Sequence, residues 1–269
     1  MSQTTSSESD RLAARFAAWR RSGRQALIPY ITAGYPDRAA TAGLLAALVR
    51  AGADVIELGV PFSDPVADGP TIQRSSQRAL EAGVTLPWVL EVLAAFRAAS
   101  DVPVVLFTYL NPVLRLGVDR FIADAVAAGA DGVLVTDLPL GADDALESTL
   151  ESSDLALVRL VAPTTPAARA AAIAARAQGF LYYIARTGVT GATAHIRAAL
   201  PAELRALRAV SRVPIAVGFG ISTPAQAAQL AGIADGIVVG SAIIDALDHG
   251  GPDAAERLLR GMRAAMDAR

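Results

Sequence analysis

The sequence has 269 residues, of which 53% are hydrophobic and 19% charged, and its formal net charge is −2. This length fits one large α/β domain or two small ones, and so weak a charge argues against a nucleic-acid partner held by electrostatics. The chain contains no cysteine and no lysine, which excludes disulfides, thiolate metal sites and Schiff-base catalysis by a protein amine.

The N-terminal residues 1–10 are rich in Ser and Thr and lack the basic start and apolar core of a secretion signal. No apolar run reaches the ~20 residues that cross a bilayer. We therefore expect a cytoplasmic protein without a membrane partner. An amphipathic helix is predicted over about residues 9–21, where it could cover the lower end of a barrel. No linker or composition shift marks a second domain, so we expect one domain over residues 1–269, with about residues 1–8 disordered.

Short apolar runs alternate with helical stretches rich in Ala, Leu and Arg along the rest of the chain. The predicted strands, rich in Val and Ile, are 27–31, 54–58, 102–108, 132–136, 156–161, 180–185, 213–217 and 236–239. The predicted helices are 38–51, 70–81, 86–99, 119–128, 142–152, 166–177, 201–210, 223–230 and 242–247.

This alternation predicts an α/β fold, a (β/α)8 TIM barrel with an extra N-terminal helix and extra helices in the loops after strands two and eight. A doubly wound open sheet is the alternative. It would need a nucleotide fingerprint, and no Gly-x-Gly-x-x-Gly follows the first strand. Ala-Gly-Ala-Asp recurs at residues 51–54 and 128–131, where each copy ends a helix and leads into a strand.

The second predicted strand carries an acid, Glu57, and a Gly/Pro-rich loop with a second acid, Asp68, follows it. Strands alternate faces, so Val55 shares a face with Glu57, while Ile56 and Leu58 share the other. Both faces are mostly apolar, which is typical of a buried parallel strand, where a carboxylate is costly unless paired or functional. The alternative is a surface acid on an edge strand. In a barrel, Glu57 would lie at the C-terminal face, where barrel enzymes have their active sites.

Glycine-bearing loops follow the last three predicted strands, at residues 187–191, 218–222 and 240–241. Ser241 could cap the short helix predicted over 242–247. Backbone N–H groups of glycine loops and of helix N-termini form phosphate sites, so the three loops together predict a phosphate ligand. Ordinary turn glycines are the alternative.

At these positions the sequence resembles the tryptophan synthase alpha subunit family. The matching segments are 29–36, 57–73, 109–112, 137–139, 162–164, 186–191, 218–222 and 240–241. The block at 57–73 is highly specific, whereas the glycine loops would fit many phosphate-binding barrels. The resemblance implies a carbon–carbon lyase of tryptophan biosynthesis that cleaves indole-3-glycerol phosphate into indole and glyceraldehyde 3-phosphate. It also implies a β subunit partner, which carries pyridoxal phosphate, in an α2β2 assembly, and no cofactor in this chain.

The resemblance and the chemistry together suggest roles for three catalytic residues. Glu57 is the general acid that protonates C3 of the indole ring, since burial should raise its pKa. Asp68 accepts a hydrogen bond from the ring N–H, and stabilises the positive charge that develops there. Tyr182 could orient either carboxylate, or it could be a core tyrosine.

The same matching assigns substrate contacts. Tyr30, Phe107 and Leu134 lie where the family has its indole pocket, although each could be barrel core. Thr190 would pack against Asp68, or it could be an ordinary loop residue. The phosphate would be bound mainly through backbone N–H groups, at Gly191, Gly220, Gly240 and Ser241.

Two apolar segments, residues 61–70 and 111–114, match family regions that face the β subunit. Both are predicted as loops, and both could instead fold back on the barrel rim. The two histidines, His195 and His249, lie outside the predicted strands, so we expect no metal site. Three alternatives stay open: a free-standing lyase that releases indole, a non-catalytic subunit, and a phosphate-binding isomerase or epimerase barrel.

Overall fold

The structure of the chain, a computed structural model, describes residues 11–184, 197–218 and 220–268. Its strands are β1 (Ala26–Thr32), β2 (Ile56–Gly59), β3 (Val104–Thr108), β4 (Gly132–Val135), β5 (Ala156–Leu157), β6 (Arg159–Val161), β7 (Leu181–Ile184), β8 (Ile215–Gly218) and β9 (Gly236–Val239). Its helices are α1 (Arg11–Arg21), α2 (Ala40–Arg50), α3 (Pro70–Glu81), α4 (Leu86–Arg97), α5 (Leu110–Leu116), α6 (Val118–Ala127), α7 (Asp144–Glu151), α8 (Ala167–Arg176), α9 (Leu200–Arg208), α10 (Pro224–Leu230) and α11 (Ser241–Asp267).

The strands form one parallel sheet in the order β5-β4-β3-β2-β1-β9-β8-β7-β6. β5 pairs with β4 and β6 pairs with β7, and only Val158 separates β5 from β6 along the chain. The two ends of the sheet are therefore consecutive in sequence, and the sheet closes into a barrel. This confirms the predicted TIM barrel, but the prediction of an unbroken fifth strand is wrong, because that strand changes partner at Val158.

Alternate strand residues fill the barrel interior, while the others pack against the helices. Val55 belongs to the interior cluster, whereas Ile56 and Leu58 belong to the layer between strands and helices, as the alternation predicts. The side chains of the interior cluster that lie in a strand or next to one are Ala26, Ile28, Tyr30, Val55, Val105, Phe107, Leu134, Ala156, Val158, Tyr182, Ala216 and Val238.

The N-terminal helix α1 covers the lower end of the barrel, as predicted. Its buried residues Leu12, Phe16 and Trp19 join the interior cluster. The ring of Phe16 lies 5.7 Å from that of Phe180, which directly precedes β7, and 5.1 Å from the ring of Trp19. This aromatic contact gives the barrel floor a continuous apolar packing with the strands.

One hydrogen-bond pattern repeats at the N-terminal rim, where an aspartate before a strand accepts a backbone N–H from the preceding strand segment. The three pairs are Asp54 with Leu27 N at 2.9 Å, Asp131 with Val104 N at 2.8 Å and Asp235 with Ile215 N at 2.9 Å. Asp131 also forms ion pairs with Arg11 of α1 (2.6 Å) and Arg97 of α4 (2.9 Å). These contacts account for the aspartates of the recurring Ala-Gly-Ala-Asp segments.

Helix α11 is longer than the predicted 242–247 segment. Gly250 and Gly251 have non-helical backbone angles, and Pro252 follows them, so α11 consists of two helical parts. The capping prediction for Ser241 is wrong: Gly240 occupies the N-cap position, and Ser241 is the first helical residue, with no side-chain cap bond.

The segment 111–114 was predicted as a loop and is instead part of helix α5. Seven residues are too few to show a helical period in the sequence. Pro112 lies in the first turn of α5, where its missing N–H costs nothing. Leu110 N donates to Asp137 Oδ1 at 2.7 Å, so a contact from the loop after β4 supports the helix start.

Among the described residues, no single helix has both the length and the apolar character needed to cross a membrane. Only the pair α3 and α4, bent by 97° between them, passes that test together. In the barrel α4 packs Val89 and Leu93 into the layer between strands and helices.

Candidate active site

The carboxyl group of Glu57 is buried inside the barrel. β2 places it between Tyr30 of β1 and Val105 of β3, and its side chain is 1% exposed. Its Oε1 has no hydrogen-bond partner within the described residues. Burial raises the pKa of Glu57 to about 8, because the charged form loses its hydration. Most of this carboxyl is therefore protonated at neutral pH and able to donate a proton.

Asp68 lies in the loop between β2 and α3 and is 9% exposed. Tyr109 Oη donates a hydrogen bond to Asp68 Oδ2 at 3.0 Å. Burial raises the pKa of Asp68 to about 6, and the bond from Tyr109 opposes that rise. At neutral pH Asp68 is therefore mostly ionised while Glu57 is mostly protonated. Two carboxyls with such different pKa values suit a division between acid and charge stabiliser.

Two interior tyrosines, Tyr30 of β1 and Tyr182 of β7, lie near both carboxyls. Burial raises the pKa of each phenol well above its usual value, and the charges of Asp68 and Glu57 raise it further. Because these charges act on both rings, the two acids and the two tyrosines occupy one region of the barrel interior.

An aromatic and aliphatic wall adjoins the acids. The rings of Tyr30 and Phe107 meet edge to face with centroids 5.2 Å apart. Phe107 of β3 pairs in register with Leu134 of β4, and both side chains are buried in the interior cluster. The three predicted indole-pocket residues are thus brought together, on the side of the barrel next to Glu57.

Glycine and helix-terminus positions lie at the same rim as the acids, because all strands are parallel. Gly240 follows β9 directly, and a Cβ atom there would lie 3.6 Å from Tyr30 Cβ. Ser241 is exposed at the start of α11, where the first N–H groups of a helix have no intrahelical acceptor. Gly220, two residues beyond β8, has φ +84°, which favours glycine.

Two predicted site residues, Thr190 and Gly191, lie outside the described residues, as does the rest of the 187–191 loop. No group of three or more His, Cys, Asp or Glu side chains that could hold a metal ion occurs within 11–184, 197–218 and 220–268.

A cavity of about 320 Å³ lies between the loop after β4 and the loop after β6. Leu160 and Ile184 border it from the barrel interior side, and Thr136 and Thr164 contribute hydroxyl groups. Glu57 and Asp68 are not among its walls. The two carboxyl groups therefore lie outside this cavity.

The two predicted partner segments each expose a large apolar side chain. Val66, in the loop that carries Asp68, is 82% exposed, and Leu114 of α5 is 53% exposed. These exposures leave both segments accessible to a partner.

The segment 109–112 matches the family, but the sequence by itself assigns no role to Tyr109. The available signal was a polar aromatic residue directly after the third strand, at the rim that carries the acids. Its partner, Asp68, lies 41 residues away, so no local pattern reveals the contact.

Comparisons with known proteins agree with this geometry. The family profile described as "Tryptophan synthase alpha chain" matches residues 16–266. The tryptophan synthase alpha chain of Laribacter hongkongensis (strain HLHK9) is 49% identical over 263 residues, covering 96% of this chain and 100% of the relative. That of Xanthomonas campestris pv. campestris (strain B100) is 50% identical over 266 residues, covering 96% and 98%.

Solved structures show the same relationship. A chain of Mycobacterium tuberculosis tryptophan synthase matches with a TM-score of 0.89 and 40% identity, covering 96% of this chain and 99% of that chain. Tryptophan synthase subunit alpha from Legionella pneumophila str. Paris matches with a TM-score of 0.86 and 38% identity, covering 96% and 99%. The chain belongs to the tryptophan synthase alpha chain family.

Proposed function

We propose that Glu57 and Asp68 carry out the retro-aldol cleavage of indole-3-glycerol phosphate, the lyase reaction of this family in tryptophan biosynthesis. One observation carries the assignment: Glu57 is buried with Oε1 unpartnered among the described residues. Such a group is costly to keep without a task. Its pKa of about 8 provides a proton donor at neutral pH.

The first step makes the indole ring a leaving group. Glu57 transfers its proton to C3 of the indole ring, and positive charge develops toward the ring nitrogen. Asp68, ionised at neutral pH, accepts the ring N–H and stabilises that charge. A buried carboxylate is effective here because the surrounding dielectric is low and the group is already positioned.

The second step breaks the bond between C3 and the glycerol carbon. The hydroxyl group on that carbon loses its proton to the Glu57 carboxylate as its C–O bond becomes a carbonyl. The bonding electrons return to the indole ring and neutralise the nitrogen. The products are indole and glyceraldehyde 3-phosphate, and Glu57 regains its proton, so no cofactor is consumed.

The remaining site residues hold the substrate. Tyr182 orients the carboxyls from the barrel interior, and the indole ring packs against the wall formed by Tyr30, Phe107 and Leu134. Thr190 closes over Asp68. The phosphate binds to backbone N–H groups of the last three β/α loops, at Gly191, Gly220, Gly240 and Ser241. An anchored phosphate contributes by fixing the reacting carbon next to Glu57.

The family works as a complex in which the β subunit holds pyridoxal phosphate and receives indole, in an α2β2 assembly. We assign the β-facing surface to the loop with Val66 and the helix with Leu114, the two exposed apolar positions described above. We also propose that residues 1–269 form one domain and that the protein is cytoplasmic, which fractionation of cells expressing the full chain would test.

Indole release from indole-3-glycerol phosphate tests the assignment. The purified chain, alone and with a β subunit of the family, is compared with Glu57→Gln. We expect release by the wild-type chain, an increase with the β subunit, and loss of most turnover in the variant. Equal rates in wild type and Glu57→Gln would remove Glu57 from the acid role. An equal rate with and without the β subunit would support a free-standing lyase.

A further inference from the structure

The hydroxyl group of Tyr109 contacts the catalytic loop at two consecutive residues. It donates to Asp68 Oδ2 at 3.0 Å and accepts the backbone N–H of Ala67 at 3.0 Å. The ring of Tyr109 also packs on Phe62 near the start of the same loop, with centroids 5.1 Å apart. Three contacts from one side chain therefore fix both ends of the loop segment between Phe62 and Asp68.

Tyr109 is itself firmly held. It is 2% exposed and directly follows β3. It is the N-cap residue of α5, and the next residue, Leu110, donates its N–H to Asp137 Oδ1. The phenol is thus attached to a barrel strand, while Asp68 is on a loop. A rigid donor on a strand end is the arrangement that positions a loop-borne functional group.

We infer that Tyr109 is a positioning residue for the reaction: its hydroxyl holds Asp68 ionised and aimed, so that the other carboxylate oxygen, Oδ1, receives the indole N–H. This inference rests on the proposed function. Because Tyr109, a fixed donor, already binds Oδ2, the Asp68 carboxylate loses its freedom to rotate away from the indole ring of the substrate.

A neutral donor suits this task better than a cation. Burial, and then the charge of Asp68, raise the pKa of Tyr109, so the phenol stays protonated and keeps donating. Its hydrogen bond favours the ionised form of Asp68 without cancelling that charge. An arginine in its place would form an ion pair and compete with the positive charge that develops on the indole nitrogen.

The titratable groups around Asp68 come from four elements of the described chain. Tyr109 donates a hydrogen bond to Asp68. The charge of Asp68 acts on Tyr30 and Tyr182. Glu57 acts on the same two tyrosines. All but Asp68 and Glu57 are phenols with raised pKa values, so Asp68 alone among these groups titrates near pH 6.

The test compares Tyr109→Phe with Tyr183→Phe. Tyr183 is also buried and also donates to a carboxylate, Glu203 Oε2 at 2.7 Å, but it packs outside the barrel interior. We expect Tyr109→Phe to lower kcat about tenfold or more with KM changed by less than about threefold, and Tyr183→Phe to change neither by that much. The acidic limb of the kcat/KM profile should move to higher pH only in Tyr109→Phe.

Two further measurements distinguish positioning of Asp68 from a merely structural role of Tyr109. Titration of the Asp68 carboxyl by carbon NMR should show a higher pKa in Tyr109→Phe than in wild type. In an Asp68→Asn background, Tyr109→Phe should cause no further loss of kcat, because its effect passes through Asp68. An unchanged Asp68 titration, or the same loss of kcat in the Asp68→Asn background, would overturn the inference. Failure of the wild-type chain to release indole would instead overturn the proposed function.

Discussion

The phenol ring of Tyr182 lies directly over Gly218 of the neighbouring strand. A Cβ atom at Gly218 would lie 2.6 Å from Tyr182 Cζ and closer still to Oη. Tyr30 has the same relation to Gly59, so each interior tyrosine crosses a glycine at the end of the next strand. These glycines provide the space that the two phenol groups occupy.

Gly218→Ala should therefore displace Tyr182 and lower kcat/KM. Overpacking at such a contact typically costs about 1–3 kcal/mol of stability. Gly43→Ala is the control, because a Cβ at Gly43, in helix α2, meets nothing within 4 Å and alanine favours a helix. Thermal unfolding and indole release distinguish the two variants. Wild-type activity in a folded Gly218→Ala would show that the position of Tyr182 does not matter.

The pH dependence of kcat/KM should be bell-shaped. Asp68 must be ionised, so activity falls below its pKa of about 6. Glu57 must be protonated, so activity falls above its pKa of about 8. The limbs report apparent values of the coupled pair in the free enzyme. Initial rates between pH 5 and pH 9 measure the profile, and a flat response from pH 7 to pH 9 would exclude protonated Glu57 as the acid.

Glu57→Gln should also change how stability depends on pH. Because the folded pKa of about 8 exceeds the usual 4.5, folding retains a proton that the unfolded chain releases. The free energy of unfolding of the wild type therefore falls progressively as pH rises from 4.5 to about 8. The free energy of unfolding of the variant, relative to that of the wild type, should therefore rise by roughly 2–5 kcal/mol as the pH increases from 5 to 9. Urea unfolding at both pH values measures this rise, and a fall would contradict a buried Glu57 carboxyl with a raised pKa.

Asp131→Ala should destabilise the lower rim of the barrel. Asp131 is 7% exposed, and its removal leaves Arg97 and the N–H of Val104 without their carboxylate. Breaking a buried pair of this kind costs roughly 3–5 kcal/mol. Asp124→Ala removes only the exposed pair with Arg120 and should cost less than about 1 kcal/mol. Denaturant unfolding compares them, and equal losses would show that the rim contact is not stabilising.

Phosphate binding should depend on the backbone at the start of α11 more than on the Ser241 hydroxyl. Ser241→Ala should weaken competitive inhibition by inorganic phosphate by less than about fivefold. Ser241→Asp should abolish it by charge repulsion, while its carboxylate favours the helix N-terminus and so keeps the helix intact. Collapse of phosphate affinity in Ser241→Ala would make the hydroxyl the main contact. Absence of any competition in wild type would argue against this site.

The sequence alone was sufficient for the barrel and for the alternation of its second strand. The alternation of Val55, Ile56, Glu57 and Leu58 is a local property of a strand, and it correctly separated the face of Val55 from that of Ile56 and Leu58. The recurring Ala-Gly-Ala-Asp segments likewise located helix ends and strand starts. The sequence did not predict two short features. Helix α5 is too short to show a helical period of apolar residues, and the break at Val158 depends on which neighbouring strands that segment pairs with.

What depends on distant contacts was decided only by the tertiary structure. The pKa values of Glu57 and Asp68 follow from how completely remote strands and loops exclude water around them, and strand alternation carries no measure of that exclusion. The bond from Tyr109 to Asp68 joins residues 41 positions apart. Periodicity records which face of an element a side chain occupies, whereas hydrogen bonds between elements arise only when the sheet closes and brings its strand ends to one rim.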